Sequence, residues 1–253
     1  MRSTERSEGY GSCEKHGNFL LWNLDGEGRR QWVNPGGACP MCKAEKKHQE
    51  AFARLALPAR FRDCTVSNYR ATNDGQRRAR KVATDYCEAI KDHVMRGDSL
   101  IFVGNCGTGK THLACAIGKC AVGAGLGVQF TTVRQMLRDV RSTWNRGALE
   151  SESEAIDRYV NLDLLILDEV GVQVGSDSEM FTLFDVLGER YAQKKATIII
   201  SNLPLVRKPE EPEEKTIGDY LGERLFDRFC DDGSMAVSFN WNSYRGTQRE
   251  HQE

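Results

Sequence analysis

Gly104-Asn105-Cys106-Gly107-Thr108-Gly109-Lys110-Thr111 matches the spacing G-x-x-x-x-G-K-[ST] at every fixed position. The apolar stretch "SLIFVG" leads into it, and "GKTHLACAIGKCAVGAG" follows it with a helical pattern. A glycine-rich turn between strand and helix suits a nucleoside triphosphate such as ATP. Its backbone N–H groups curl around phosphate oxygens, and the helix N-terminus adds partial positive charge. Lys110 is expected to reach the β- and γ-phosphates, and the Thr111 hydroxyl to face Mg²⁺. A carboxylate must complete the metal's surroundings, and "LDLLILDEVG" (162–171) offers Asp168 and Glu169 at the carboxyl end of an apolar run. Ligands sit at that end of the strands in open α/β sheets. Asp168 would hold Mg²⁺ through water, and Glu169 would polarise an attacking water, which points to hydrolysis. A further apolar run, "ATIIISN", ends in Ser201-Asn202. Asn202 is placed to orient water near the γ-phosphate.

Two other groupings have chemistry in their spacing. Cys13-x-x-His16 and Cys39-x-x-Cys42 form two close pairs, each able to grip one tetrahedral Zn²⁺ from a tight turn, with His48 as an alternative ligand to His16. A module this small builds little core, so a metal is the expected staple. The helical stretch "VRQMLRDVRSTWNR" (133–146) sets Arg134, Arg138 and Arg141 on one face, with Trp144 one turn beyond Arg141. Guanidinium groups for phosphates beside an aromatic ring for bases make a platform for single-stranded DNA. The basic run "RRARK" (77–81) reads as a solvated helix start.

Elements must position these residues, and the pattern supplies them. From about residue 76 helical and strand signals alternate. Helices are expected over 76–97, 109–125, 134–147, 179–195 and 221–233, and strands over 99–104, 127–133, 163–169, 196–203 and 234–241. Strand runs that are apolar throughout, separated by helices, predict a five-stranded parallel sheet covered on both faces. Residues 1–50 form the expected zinc-binding module, with a hairpin between the cysteine pairs. Residues 51–75 form a connector broken at Pro58, and 76–253 the nucleotide-binding α/β domain. The other cysteines (64, 87, 106, 115, 120, 230) stand singly and read as small buried residues without disulfides. The net charge of −1 over 253 residues excludes a global pull toward nucleic acid or membrane. No apolar run approaches the roughly 20 residues that span a bilayer, and the polar start is no signal peptide, so a cytoplasmic protein is expected.

The order of glycine loop, Asp-Glu strand and Ser-Asn strand, with "LLILDEVGVQ" (164–173), "LGERLFDRF" (221–229), "FNWNSYRG" (239–246) and "CTVSNYR" (64–70), resembles the AAA+ ATPases. The likeness is close to the bacterial replicative helicase loaders of the DnaC/DnaI type and covers roughly residues 60–246. That resemblance implies an AAA+ P-loop core that assembles side by side through its ATP sites. It implies Arg228 as the arginine finger reaching a neighbour's site, with Arg224 as its helical support. It implies Arg245 as the second sensor, contacting the γ-phosphate of its own chain. Single-stranded DNA binds this part of the fold in such loaders, with an aromatic at the position of Trp144. The amino-terminal module looks like the DnaI arrangement, which contacts the hexameric helicase of the DnaB type, here joined to a DnaC-like ATPase domain. Loading of the replicative helicase onto DNA is therefore the expected function. The alternatives are a transposition helper ATPase of the IstB type and a DNA-binding adaptor with an inactive ATP site.

Overall fold

The computed structural model describes residues 8–145, 147–172, 177–207, 209–211, 213–231 and 233–244. They divide into two units, Met1–Ala51 and Phe52–Glu253. Of the stretch 51–75, expected as a connector, all but Ala51 lies inside the second unit.

In the first unit β1 (Glu8–Cys13), β2 (Gly17–Leu24) and β3 (Arg30–Trp32) form an antiparallel sheet in that order. Cys13 pairs with Gly17 at the first turn, where Gly17 adopts φ 73°. Only glycine takes that left-handed conformation without a Cβ penalty. Asp25 closes the second turn by accepting the N–H groups of Glu27 and Arg29. Helix α1 (Pro40–Leu55) starts directly after Cys39. Proline suits the first helical position because the N–H it lacks would have had no partner there. Cys42 consequently lies in the first turn of a helix, where the sequence pattern suggested little periodic structure.

The second unit opens with α2 (Asp74–Glu88) and α3 (Ile90–Arg96), then β4 (Leu100–Gly104) and α4 (Lys110–Gly123). There follow β5 (Val128–Thr132), α5 (Val133–Ser142), α6 (Glu152–Val160), β6 (Leu164–Val170), α7 (Asp177–Ala192) and β7 (Ala196–Ser201). Short helices α8 (Ile217–Leu221) and α9 (Glu223–Arg228) precede β8 (Met235–Phe239). The sheet runs β5-β6-β7-β4-β8 and every pairing is parallel. The apolar runs become strands buried on both faces, as continuous hydrophobic strands require. On one face Ile101, Leu165, Leu167 and Ile199 pack with Met136, Leu187 and Phe229.

Several boundaries differ from the sequence pattern for local reasons. The helix expected over 76–97 breaks at Ala89, which leaves the helical region at ψ 33°, and it starts earlier because Asn73 and Gln76 form a capping box. The helix expected over 221–233 is shortened to α9, Glu223–Arg228, which Gly222 at φ 77° parts from α8 before it. The expected 133–146 helix ends at Ser142. Helix α6, absent from that pattern, is started by a capping box of Ser151 and Glu154. Cys106, Cys120 and Cys230 are exposed, so the expectation of uniformly buried thiols fails for these three. Their side chains are small enough to sit at a helix surface or loop tip without disturbing the pattern.

Arg190 is fully buried on α7 and acts as an internal staple. It donates to the carbonyls of Tyr159, Val160 and Leu162 at the end of α6, and to Ala196 O and Thr197 Oγ1 on β7. Among the described residues no helix is long and apolar enough to cross a membrane.

Candidate functional site

The loop 105–109 joins β4 to α4, and its conformation needs its glycines. Gly104, Gly107 and Gly109 have φ of 112°, 73° and 97°. A Cβ on Gly109 would also stand 2.5 Å from Tyr69 Cε2. Lys110 opens α4 almost wholly buried, and its Nζ donates to Gly104 O at 2.6 Å and Asn105 O at 2.7 Å. Burial lowers its pKa to about 8. A lysine held this way keeps its cation next to the loop, where a phosphate would restore its charge preference. Asn105 and Cys106 are exposed at the loop tip, and Thr108 is buried.

Across the sheet, Thr111 Oγ1 donates to Asp168 Oδ2 at 2.9 Å, which brings together the two residues expected around Mg²⁺. Burial raises the Asp168 pKa, opposed by the backbone N–H of Glu169 that donates to Oδ1 at 2.7 Å. The oxygen donors of Thr111 and Asp168 fit a hard cation, which would relieve the burial cost of the carboxylate. Glu169 is exposed and adopts φ 62°, and the β6–β7 register shifts between Leu167 and Val170. A left-handed non-glycine residue at a bulge is a costly conformation that re-aims one side chain out of the sheet. Asn202 is exposed just past β7, where the preceding Ser201 Oγ donates to Val170 O. Thus Lys110, Thr111, Asp168, Glu169 and Asn202 stand at the ends or immediate extensions of β4, β6 and β7.

Sequence reasoning assigned no role to two residues that hold the loop. Tyr69 Oη and Trp241 Nε1 both donate to Thr108 O, at 3.1 and 3.0 Å. The Tyr244 N–H donates to Gly107 O, and the Asn105 N–H to Phe239 O. Two loop carbonyls are therefore tied by segments on either side of the core. Burial pushes the Tyr69 pKa up, which keeps its hydroxyl protonated as a donor. Both residues sit in "CTVSNYR" and "FNWNSYRG", so the only signal was the resemblance itself.

Arg228 ends α9, exposed, with its guanidinium carbon 5.3 Å from the centre of the Tyr191 ring. Arg224 is exposed one turn earlier. Arg245 lies outside the described residues. On α5, Arg134 and Arg138 are exposed, whereas Arg141 pairs with Glu179 of α7. Trp144 follows the helix in a turn, 56% exposed, and its Nε1–H donates to Glu152 Oε2 at 3.0 Å.

In the first unit Cys13, His16, Cys39 and Cys42 converge, their ligand atoms all within 4.8 Å of one another. His16 Nδ1 lies 3.8, 3.6 and 3.4 Å from the sulfurs of Cys13, Cys39 and Cys42, and Cys13 Sγ is 3.6 Å from Cys42 Sγ. A regular tetrahedron with bonds of about 2.3 Å has edges of about 3.8 Å, so these separations fit one tetrahedral ion. His16, rather than His48, belongs to the cluster. Its other nitrogen, Nε2, is 3.2 Å from Glu45 Oε1, a carboxylate that can fix the ring's tautomer and orientation. The backbone N–H groups of His16 and Lys15 lower the Cys13 pKa to about 6, while the Cys13 sulfur beside it raises that of Cys42 to about 11. A bound cation would favour the thiolate form of both.

The model of the IstB-like ATP binding protein family matches residues 41–252. The replicative helicase loader DnaC of Escherichia coli strain K12 is 32% identical over 225 residues, 87% of this chain and 86% of that protein. A DnaC of Buchnera aphidicola subsp. Schizaphis graminum is 30% identical over 199 residues, 79% of this chain and 76% of its own. Among solved structures, the DnaC helicase loader superposes with TM-score 0.60 at 22% identity, covering 72% of this chain and 99% of that one.

Proposed function

Because this chain belongs to the IstB/DnaC-like family of AAA+ ATP-binding proteins, we propose that it loads a replicative DNA helicase onto single-stranded DNA at the expense of ATP. The observation that carries this reading is the extent of the likeness to a loader, which spans 86% of that protein rather than the phosphate-binding loop alone. In this reading Lys110 and the loop residues 104–109 hold the triphosphate, and Thr111 and Asp168 hold Mg²⁺. Glu169 and Asn202 position the attacking water. The protomer's Arg228 reaches the site of a neighbour, and Arg245 contacts the γ-phosphate of its own chain. A guanidinium supplied in trans stabilises the charge that spreads over the transferring phosphoryl group. The nucleotide then bridges two subunits, so hydrolysis loosens the assembly. Arg138, Arg141 and Trp144 form the strip for single-stranded DNA, and the site of action is the cytoplasm.

The test is capture of the partner. The purified chain, immobilised with ATP, should retain the hexameric replicative helicase of its own host. Failure to retain that ring, with binding of a transposase instead, would establish the IstB-type helper reading that the family description also accommodates.

Zn²⁺ at Cys13, His16, Cys39 and Cys42 is part of the same proposal and makes the first unit the helicase-docking module. Elemental analysis of the purified chain should find about one zinc per molecule, and Cys39→Ser should lose it. The same substitution should unfold the first unit while leaving the second folded, because a module this small leans on its metal. Circular dichroism and limited proteolysis read both outcomes.

A further inference from the structure

The second unit has an open cleft of about 500 Å³ between α2, α4 and the segment 64–67, and the proposed function leaves it unused. Phe52, Val66 and Ala116 give it apolar walls, Lys119 stands at its edge, and Cys87 and Cys120 line it together. Cys87 comes from the end of α2 and Cys120 from the last turns of α4. Both thiols line this one cleft, near enough for each to shift the other's titration. Cys120 is exposed and Cys87 is partly so. We propose that Cys87 and Cys120 are a modification site, a dithiol that a hydroperoxide converts to an intramolecular disulfide joining α2 to α4.

The two thiols are unequal in a way that divides the labour. The neighbouring Cys87 and the charge of Lys119 lower the Cys120 pKa. The neighbouring Cys120 and burial raise that of Cys87. A thiolate that solvent can reach is the attacking form, and Cys120 is the more exposed of the two, so Cys120 is the nucleophile and Cys87 the resolving thiol. The Cys120 sulfur attacks one oxygen of the hydroperoxide. The terminal oxygen stays on sulfur, the O–O bond breaks, the carbon-bound oxygen leaves as alkoxide and takes up a proton to become the alcohol, and Cys120 becomes a sulfenic acid. The Cys87 sulfur then attacks the Cys120 sulfur, the S–O bond breaks, and the hydroxyl leaves as water with the proton from Cys87. Two thiols are oxidised, one hydroperoxide is reduced to alcohol, and one water is released.

A second thiol pair nearby provides a built-in contrast. Cys64 and Cys115 also shift each other's titration, but they are 5% and 0% exposed, and the Cys64 Sγ–H donates to Phe61 O. Cys64 touches the same cleft but is almost wholly buried and Cys115 fully so, and a peroxide in water therefore meets the exposed Cys120 first.

The test treats the full-length, zinc-replete chain with hydrogen peroxide, blocks remaining thiols with N-ethylmaleimide and maps the peptides by mass spectrometry. The expected result is a linked Cys87–Cys120 peptide, reversed by dithiothreitol, that accumulates before Cys106 or Cys230 is oxidised. In Cys87→Ala the link disappears and dimedone traps a sulfenic acid at Cys120. In Cys64→Ala the link still forms. Oxidation of Cys106 or Cys230 without the link, a link from Cys120 to Cys64, or loss of the link in Cys64→Ala overturns the proposal.

Discussion

Glu169→Gln will bind ATP as tightly as the native chain and lose hydrolysis by about 100-fold or more, the range of general-base catalysis. The substitution keeps the shape and the exposure of the side chain and removes only the carboxylate that orients and polarises water. Binding survives because the contacts expected for the triphosphate come from the loop, Lys110 and Thr111, none of which touches the Glu169 carboxylate in the structure. The left-handed backbone at Glu169 is available to glutamine at a similar cost. A mixing experiment adds a sharper readout. If Arg228 acts on a neighbour, Arg228→Ala and Glu169→Gln should each be inactive alone and partly active together. In the mixture a protomer carrying Glu169→Gln lends its arginine to a site that retains Glu169. Single-turnover hydrolysis with labelled ATP measures both. A Glu169→Gln protein with native turnover would remove the assignment, and a dead mixture would place Arg228 outside a shared site.

Arg190→Met will destabilise the second unit by about 3–5 kcal/mol, because several buried carbonyls lose their donor at once. Methionine fills much of the volume and spares the desolvation of a guanidinium. Its thioether cannot serve the carbonyls of Tyr159, Val160, Leu162 and Ala196, each of which would be left buried without this donor. An orphaned carbonyl costs roughly 1–3 kcal/mol, so even partial relaxation leaves a large deficit. For a unit of this size the melting temperature should fall by roughly 10 °C. Thermal denaturation of the two proteins decides it, and a change within about 1 kcal/mol would show that other donors or water replace the guanidinium.

The contrast with Arg224 explains what the sequence could and could not tell. "GER" occurs at 188–190 and again at 222–224. Arg190 is fully buried and Arg224 exposed. The shared Leu-Gly-Glu-Arg does not separate the two, because burial is decided by α6 and β7 packing over α7. The strands were legible for the opposite reason. An apolar run between glycines and charges has one favourable place to go, and β4, β6 and β7 all lie where their composition sends them. The loop at 104–111 was legible because its chemistry requires a contiguous pattern. The four metal-type ligands were legible because each pair is local. Glu45 behind His16, the Tyr69–Trp241 pair and the Cys87–Cys120 cleft are long-range meetings that no local spacing announces. Helix α6 went unread because its short polar stretch carries its signal in the Ser151–Glu154 cap rather than in apolar periodicity.

The shared hold of Tyr69 and Trp241 on Thr108 O means that the nucleotide loop is tuned by both margins of its unit. A shortened chain beginning at residue 76 would keep the whole sheet and every helix from α4 onward, yet would lack one of the two fingers that set the loop's carbonyl. Shortening from the other side, ahead of residue 241, would remove its twin. The smallest fragment able to carry the nucleotide loop in its native shape is therefore longer than the fold drawn around the five strands.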